Sequence, residues 1–213
     1  CEDSDLAFEV RKRGLKVMYQ PLSCVIHYEG KSHGTDENSG IKHYQKINKE
    51  KFKSKWEIEL EMQCKNSEDV FLARDRSLNK KTILVVDHYA PTFDKDAGSR
   101  TVFQYLKLFV NLGYNVKFIG DNFYYDSKYS LELQKNGIEV LYGDWYFKNW
   151  KKWIIQNSNY IDICFLSRPH ISEKYIDFLR KDTKIKIIYY GHDLHFLREE
   201  REYKMSNNKE TLK

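Results

Sequence analysis

Long apolar segments are absent from this chain of 213 residues. No run approaches the ~20 consecutive apolar residues that a membrane-spanning helix needs, and no signal peptide opens the sequence. The four cysteines show no Cys-x-x-Cys spacing, which argues against a zinc ribbon and against a disulfide framework. We therefore expect a cytoplasmic protein whose cysteines serve packing, with peripheral association at the inner face of the membrane as an open alternative.

A concentrated basic stripe is also missing, although Lys and Arg outnumber Asp and Glu by 36 to 31. The lysines are scattered or alternate with glutamate, as in KINKEKFKSKWEIELE over residues 46–61. Because nucleic-acid binding needs basic residues gathered on one face, we expect no nucleic-acid partner. The hydrophobic content of 41% is that of a globular protein with a substantial core.

A regular alternation of strands and helices begins at residue 81. KTILVVDHY is a β-branched run, GSRTVFQYLKLFVNLG has apolar residues at helical spacing, and the alternation continues to a final apolar strand in KIKIIYYG. Gly113 and Gly137 stand where helices should end. The order predicts an α/β fold over residues 81–213, a Rossmann-like parallel sheet with helices on both faces.

The first 63 residues follow a different pattern. A helix is predicted over about residues 4–13, closed by Gly14, followed by strands in LKVMYQP and SCVIHYEG and a charged helix over about residues 42–62. We interpret residues 1–63 as a small α+β unit and residues 64–80, with the sequence CKNSEDVFLARDRSLNK, as a polar linker.

Each predicted strand of the second part runs into a polar cluster at its carboxyl end. The clusters are Asp87-His88, Gly120-Asp121-Asn122, Gly143-Asp144, Ser167-Arg168-Pro169-His170 and Gly191-His192-Asp193. In a parallel sheet these ends share one edge, where ligands bind. The alternative is that loops are polar in any case. As a metal site, the HDLH segment is weak because it has two histidines and no third ligand.

The loop before the first helix of this part, DHYAPTFDKDAGSRTVF, has a second feature. Ser99 can serve as N-cap, and Gly98 lets a ligand approach the backbone at a helix N-terminus that suits a diphosphate. The alternative is a plain capped helix, since the loop is neither GxGxxG nor a Walker A motif. Asp94 and Asp96 have the spacing of a metal-binding Asp-x-Asp motif, but we do not interpret them as one, because they lie in a loop beside a lysine.

Two positions in the first unit carry chemistry. Asp3, at the start of a predicted helix, could cap that helix or act as a general base toward a sugar hydroxyl. His27 could ligate a metal or face solvent. Spacing by itself favours the cap for Asp3, and composition does not decide between the two alternatives for His27.

At these residues the sequence resembles two enzyme families. EDSDLAFEVRKRGLKVMYQP and VIHYEGKSHGTD are similar to the C-terminal part of a family 2 glycosyltransferase, an inverting enzyme of GT-A fold. LVVDHYAPTFDKDAGSR, GIEVLYGDWY, FLSRPH and YYGHDLHFLREE are similar to the N-terminal domain of a family 4 glycosyltransferase of GT-B fold. Bacterial proteins that join the two in this order build surface polysaccharide. The resemblance covers nearly the whole chain.

The resemblance implies roles for the candidate residues. Asp3 matches the general base of family 2 enzymes, and His27 matches a histidine that in some relatives helps to hold the divalent cation, Mg or Mn, on the donor diphosphate. In the second module, which needs no cofactor, the residues that match donor-binding positions are Gly98, Ser99 and His192. Those expected to line the acceptor side are Arg168, His170 and Asp193.

The resemblance also implies that both active sites are incomplete. A GT-A enzyme needs a nucleotide-binding half that would precede Cys1, and a GT-B enzyme needs a C-terminal domain that would follow Lys213. We therefore expect a fragment that does not turn over alone, taken from an enzyme that transfers sugars from nucleotide diphosphate sugars to a glycan or lipid-linked acceptor. The competing hypothesis is a non-catalytic module that binds a glycan or a partner enzyme.

Overall fold

A computed structural model describes residues 2–18, 23–26, 43–74, 76–191 and 195–206 of the chain. These residues belong to two compact units, Cys1–Lys65 and Asn66–Lys213. None of the helices in the described ranges is both long and apolar enough to cross a membrane.

The first unit contains three described helices, α1 (Glu2–Lys12), α2 (His43–Lys55) and α3 (Glu57–Glu61). The Phe8 ring contacts the rings of Phe52 and Trp56, with centroid distances of 5.4 and 5.2 Å. The single helix predicted over residues 42–62 is interrupted at Trp56 (φ −116°, ψ 23°), whose side chain is fully buried. Burial of the Trp56 side chain therefore coincides with the break between α2 and α3.

The strands predicted in the first unit are not seen where the structure describes them. Residues 15–18 and 23–26 have no regular secondary structure, and their apolar side chains, such as Leu15 and Val25, are exposed. A strand needs a partner to satisfy its backbone groups, and no described residue of this unit supplies one. The remainder of the two predicted strands lies outside the described residues.

The second unit is built on a five-stranded, all-parallel, Rossmann-like sheet in the order β3-β2-β1-β4-β5. The strands are β1 (Thr82–Asp87), β2 (Asn115–Gly120), β3 (Glu139–Leu141), β4 (Ile163–Ser167) and β5 (Lys186–Tyr190). The helices are α4 (Val70–Ala73), α5 (Ala97–Asn111), α6 (Tyr129–Lys135), α7 (Asp144–Asn157), α8 (Pro169–Asp182) and α9 (His195–Ser206). Gly113 and Gly137 take φ of +86° and +82° just after α5 and α6, which confirms both predicted helix ends.

Helices pack against the sheet through two hydrophobic clusters that share β1. Ile83 and Val85 pack in the cluster that includes residues of α5 and α6, whereas Leu84 and Val86 pack in the cluster that includes residues of α7 and α8. Side chains of a strand alternate between faces, so the clusters lie on opposite faces of the sheet. Burial on both faces explains why the strand sequence is a continuous apolar run.

Two expectations about the second unit differ from the structure. The predicted linker over residues 64–80 is in large part folded into this unit, because the ring of Phe71 in α4 is buried and stacks on Tyr160 at 5.2 Å. Strand β5, whose apolar sequence favours burial, is the edge of the described sheet and leaves Ile188 and Tyr189 about half exposed. The packing role expected of the cysteines fits buried Cys164 but not exposed Cys24.

Candidate functional site

The strand order reverses between β1 and β4. From β1 the chain proceeds outward through β2 and β3, then returns to the other side of β1 to form β4 and β5. In open parallel sheets the crevice at such a reversal, outside the carboxyl ends of the strands, is where ligands bind. Asp87 ends β1, Ser167 ends β4, and Arg168 follows directly. By strand alternation, Asp87 and Ser167 share the face on which Val85 and Phe165 pack beside α5.

A buried ion pair joins the two strand ends. The Arg168 Nε atom donates to Asp87 Oδ1 at 2.8 Å, although 81 positions separate the two residues. Asp87 Oδ1 also accepts from the backbone N–H of His88 at 2.8 Å and lies 3.0 Å from His88 Nδ1. Asp87 is only 1% exposed. The pair thus fixes a guanidinium group at the point where the strand order reverses.

Competing effects act on the pKa of Asp87. Burial raises this pKa, whereas the hydrogen bond from the His88 side chain, the charge of Arg168 and the His88 backbone N–H lower it. The lowering effects together exceed the effect of burial, so the pKa of Asp87 lies below its ordinary value. The carboxyl group is therefore ionised at neutral pH despite its burial.

Three buried side-chain atoms in the described part of the chain lack a hydrogen-bond partner, and all three lie at this point. They are Asp87 Oδ2, Ser167 Oγ and Arg168 Nη2. A buried polar group without a partner costs about 1–3 kcal/mol. Such groups are rare in folded proteins, and three of them at the point where the strand order reverses leave hydrogen-bonding capacity for a further polar group.

The backbone of Arg168 is strained. Its φ of 69° and ψ of 140° are unusual for a residue with a side chain and cost about 1–3 kcal/mol. The Arg168 carbonyl accepts from Ser172 N at 3.0 Å and Ser172 Oγ at 2.8 Å, and Pro169 opens α8. The sharp turn between β4 and α8 is thereby held in place. In the sequence, the pair Arg168-Pro169 indicates this turn, because a residue before proline favours an extended ψ.

The N-terminus of α5 differs from the prediction. Asp96, not Ser99, is the N-cap, and its Oδ1 accepts from Ser99 N at 2.7 Å. Ser99 is buried in the first turn, and Thr92 Oγ1 donates to Asp96 Oδ2 at 2.9 Å. Gly98 lies half-buried in the first turn. The Ser99 N–H is thus occupied by a carboxylate of the protein itself.

The environment of Asp96 keeps it charged. Burial raises the pKa of Asp96, whereas hydrogen bonds from Ser99 and Thr92 and the charge of Arg168 lower it. The lowering effects together are larger, so the pKa lies below its ordinary value. A negative charge at this helix end opposes the binding of an anion there. Arg168 is the positive group whose charge acts on Asp96.

Asp94, the other carboxylate of the Asp-Lys-Asp segment, has structural partners. It pairs with Lys128 and accepts from Tyr129 Oη at 2.6 Å. The hydrogen bonds from Lys128 and Tyr129 lower the pKa of Asp94 to about 2. Among the residues that the structure describes, no group of three or more His, Cys, Asp or Glu side chains is placed to hold a metal ion.

The other predicted polar clusters divide into two groups. His170 is exposed near the ion pair, and its ring lies 6.3 Å from that of His88. Asp121 turns instead toward α8, where it accepts from Lys174 Nζ and Tyr175 Oη, each at 2.7 Å. Asp121 therefore serves the packing of α8, whereas Asp87, Arg168 and His170 lie together at the carboxyl ends of β1 and β4.

In the first unit, Asp3 is exposed in the first turn of α1. Its neighbour Asp5 has the structural contacts, accepting from Trp56 Nε1 at 2.7 Å and from Lys55 Nζ at 2.9 Å. These hydrogen bonds, that from Lys55 first, lower the pKa of Asp5. Three further predicted site residues lie outside the described residues: His27, His192 and Asp193.

Two residues of the ion-pair region were not singled out as site residues from sequence, Asp87 and Ser167. Their signal was a polar residue at the end of a continuous apolar strand, TILVVD in β1 and ICFLS in β4.

Comparisons of the chain with protein-family models, with curated proteins and with solved structures gave no match.

Proposed function

We propose that the chain belongs to a glycosyltransferase that transfers sugars from nucleotide diphosphate sugars to a surface-polysaccharide or lipid-linked glycan acceptor. One observation in the second unit supports this most strongly: Asp87, Ser167 and Arg168 bring unpaired, buried polar atoms together at the reversal of strand order. The resemblance of the sequence to two glycosyltransferase families supports the choice of substrate class. The finer fold assignment, half of a GT-B enzyme preceded by a GT-A remnant, is part of the same proposal.

The chemistry of the three side chains suits a sugar nucleotide. A carboxylate accepts hydrogen bonds from sugar hydroxyl groups, a serine hydroxyl both donates and accepts, and a guanidinium donates to hydroxyl or phosphate oxygens. Asp87 holds Arg168 through Nε, so the remaining guanidinium nitrogens are oriented without a ligand having to order them. Such preorganisation reduces the entropy cost of binding.

The α5 terminus has a smaller role in this proposal than the sequence indicated. Gly98 still offers a close approach to the first turn, but the Ser99 N–H donates to Asp96. We therefore assign donor attraction mainly to Arg168, which the resemblance had placed on the acceptor side. His170, exposed beside it, stays assigned to the acceptor side. No divalent cation is needed for these roles.

For the first unit we propose that Asp3 is the general base that removes the proton from an acceptor hydroxyl. Its exposure keeps it accessible to a substrate, and Asp5 rather than Asp3 serves the packing of Trp56. The resemblance implies a Mg or Mn ion in this module. Since His27 lies outside the described residues and no described cluster could hold a metal, no step is assigned to the ion.

Binding of nucleotides to the chain tests the second-unit proposal. Isothermal titration with UDP, GDP and dTDP, and with their glucose, mannose and rhamnose conjugates, should show binding to at least one. Arg168→Met should weaken that binding at least tenfold, roughly the effect of one charged hydrogen bond. Arg180→Met, a change in the last turn of α8, should leave it unchanged. Absence of binding to every nucleotide, both by this chain and by the full-length protein that carries it, would favour the non-catalytic module.

Activity of the full-length protein that carries this sequence tests the first-unit proposal. Asp3→Asn should abolish one sugar-transfer step, followed as release of nucleoside diphosphate, without altering the thermal melting of the protein. Glu2→Gln, which changes the adjacent exposed carboxylate, is the matched control. Equal activity of Asp3→Asn and wild type would remove Asp3 from the mechanism.

A further inference from the structure

His88, which follows Asp87 directly at the end of β1, is a polar residue that the proposed function leaves unused. It lies at the reversal of strand order, beside the ion pair of Asp87 and Arg168. The His88 side chain is 20% exposed, whereas that of Asp87 is 1% exposed. His88 is therefore an accessible side chain in direct contact with a buried carboxylate.

One oxygen of that carboxylate holds His88 at two points. Asp87 Oδ1 accepts from the His88 backbone N–H at 2.8 Å and lies 3.0 Å from the ring nitrogen Nδ1. The His88 ring also meets the Tyr89 ring edge-on. These contacts set the direction of the imidazole before any ligand binds, which reduces the entropy cost of binding.

Asp87 also decides which ring nitrogen of His88 carries the proton. The pKa of Asp87 lies below its ordinary value, so the carboxylate is ionised and can only accept hydrogen bonds. In the contact between the two side chains, His88 Nδ1 must therefore be the donor. In the neutral imidazole the other nitrogen, Nε2, then has the lone pair and can accept a hydrogen bond.

The Nε2 atom of His88 is open to a ligand. In the ranges of the chain that the structure describes, no residue bonds to Nε2. Nor is Nε2 among the buried atoms without a partner, which are Asp87 Oδ2, Ser167 Oγ and Arg168 Nη2. An atom that is neither bonded nor buried is within reach of solvent, and so of a ligand.

The surrounding groups favour a hydroxyl group over a phosphate oxygen as the partner of Nε2. Both Nε2 and the unpaired Oδ2 of Asp87 are acceptors, and the oxygens of a diphosphate have almost no hydrogen to donate at neutral pH. A sugar hydroxyl group donates to an acceptor and can also accept from a donor such as Arg168 Nη2. Neighbouring hydroxyl groups of one sugar ring therefore match this mixture of acceptors and donors.

We propose that His88 is a substrate-binding residue whose Nε2 accepts a hydrogen bond from a hydroxyl group of the nucleotide sugar. The inference rests on the proposed function for the identity of this ligand. The hydroxyl group has two possible sources, the ribose and the transferred hexose, and the choice of ligands in the titration distinguishes them.

Two substitutions separate a role in binding from a role in structure. Asparagine has an amide N–H near the position of Nδ1, so His88→Asn keeps a donor to Asp87 and loses Nε2. Glutamine has an amide oxygen near the position of Nε2, so His88→Gln keeps an acceptor and loses the donor to Asp87. We expect His88→Asn to melt at the higher temperature but to bind more weakly than His88→Gln. A purely structural role predicts that the more stable variant also binds better.

Titration calorimetry of the chain at pH 8 measures these affinities. The ligands are UDP, GDP and dTDP and their glucose, mannose and rhamnose conjugates. His88→Asn should bind roughly fivefold to tenfold more weakly than wild type, the effect of one neutral hydrogen bond. An equal loss for a nucleoside diphosphate and its sugar conjugate would assign the hydroxyl group to the ribose. A loss confined to the conjugate would assign it to the hexose.

Three results would overturn the role of His88 and leave the proposed function standing. One is wild-type affinity of His88→Asn for every ligand that the wild type binds, and another is tighter binding by His88→Asn than by His88→Gln. The third is a long-range ¹H–¹⁵N correlation spectrum at pH 8 that places the proton of the His88 ring on Nε2. Failure of all six ligands to bind the wild type, both as this chain and as the full-length protein, would instead overturn the proposed function and the role of His88 together.

Discussion

Replacement of Arg168 by methionine offers the most direct test of the buried ion pair. Methionine retains the apolar stem and removes the guanidinium. The Asp87 carboxylate, which is only 1% exposed, then lacks an opposite charge. The two hydrogen-bond contacts from His88 to Asp87 Oδ1 remain. The folded state must then hold a buried charge with fewer partners, and we expect a marked loss of stability.

The magnitude follows from the burial of the two partners. Removing one partner of a fully buried ion pair costs about 3–5 kcal/mol. The Arg168 side chain retains 22% of its exposure, so water already screens part of the interaction. We therefore expect Arg168→Met to lower the free energy of unfolding by about 2–4 kcal/mol. Lys174→Met, which removes a more exposed partner of Asp121, should cost less than about 1 kcal/mol.

The loss should depend on pH with a defined sign. In the wild type the pKa of Asp87 lies below its ordinary value, so the carboxylate stabilises the fold above about pH 4 and loses this effect as pH falls through the folded pKa. Without the charge of Arg168, burial remains and the pKa of Asp87 rises. The difference between variant and wild type should therefore be largest at pH 7 and should shrink toward pH 3.

Urea unfolding at pH 7, 5 and 3, followed by far-UV circular dichroism, measures the difference in free energy of unfolding between Arg168→Met and the wild type. A double-mutant cycle with Asp87→Asn should give a coupling energy of at least about 1 kcal/mol at pH 7. A cost below about 0.5 kcal/mol for Arg168→Met, as for an exposed pair, would refute the reasoning. So would a difference that grows as the pH is lowered.

Three further changes test other parts of the second unit. Gly120→Ala should lower the free energy of unfolding by about 1–3 kcal/mol, because the new Cβ would meet the backbone of Tyr89 at 3.0 Å; a neutral result in urea unfolding would mean that the loop can shift. Asp96→Asn keeps an N-cap but removes its charge, so UDP affinity should rise roughly twofold to fivefold by titration calorimetry; unchanged affinity would place the diphosphate away from α5. Lys117→Ala should cost about 2–4 kcal/mol and Lys117→Met less than half of that, because the buried stem of Lys117 packs while its amine pairs with Glu139. Equal urea midpoints for the two Lys117 variants would contradict a role for the stem.

Local sequence patterns predicted the second unit well. Apolar runs such as TILVVD and NVKFIG, separated by helices with apolar residues at helical spacing, predicted a parallel sheet, and the five-stranded sheet confirms it. The same patterns located the polar strand ends, including Arg168 and His170. These predictions succeed because hydrophobic periodicity and strand-end position depend on residues a few positions apart.

Features that depend on a neighbour far away in the chain were predicted poorly. Residues 15–18 have the composition of a strand but are exposed, and the apolar strand β5 is half exposed at the edge of the sheet, where no further described strand pairs with it. Phe71 lies in the segment predicted to be a polar linker, yet its ring stacks on Tyr160. Composition gives the tendency of a side chain to be buried, whereas the elements packed around it decide whether burial occurs.

The sequence by itself therefore determined the alternation of elements, the parallel sheet and the edge on which polar residues gather. The tertiary structure alone decided which of those polar residues are partners. Asp87 pairs with Arg168 across 81 positions. Asp121 accepts hydrogen bonds from Lys174 and Tyr175. Asp96 rather than Ser99 caps α5. The physical reason is that a hydrogen bond or ion pair forms over about 3 Å, and only packing of the strands and helices brings distant residues within that distance.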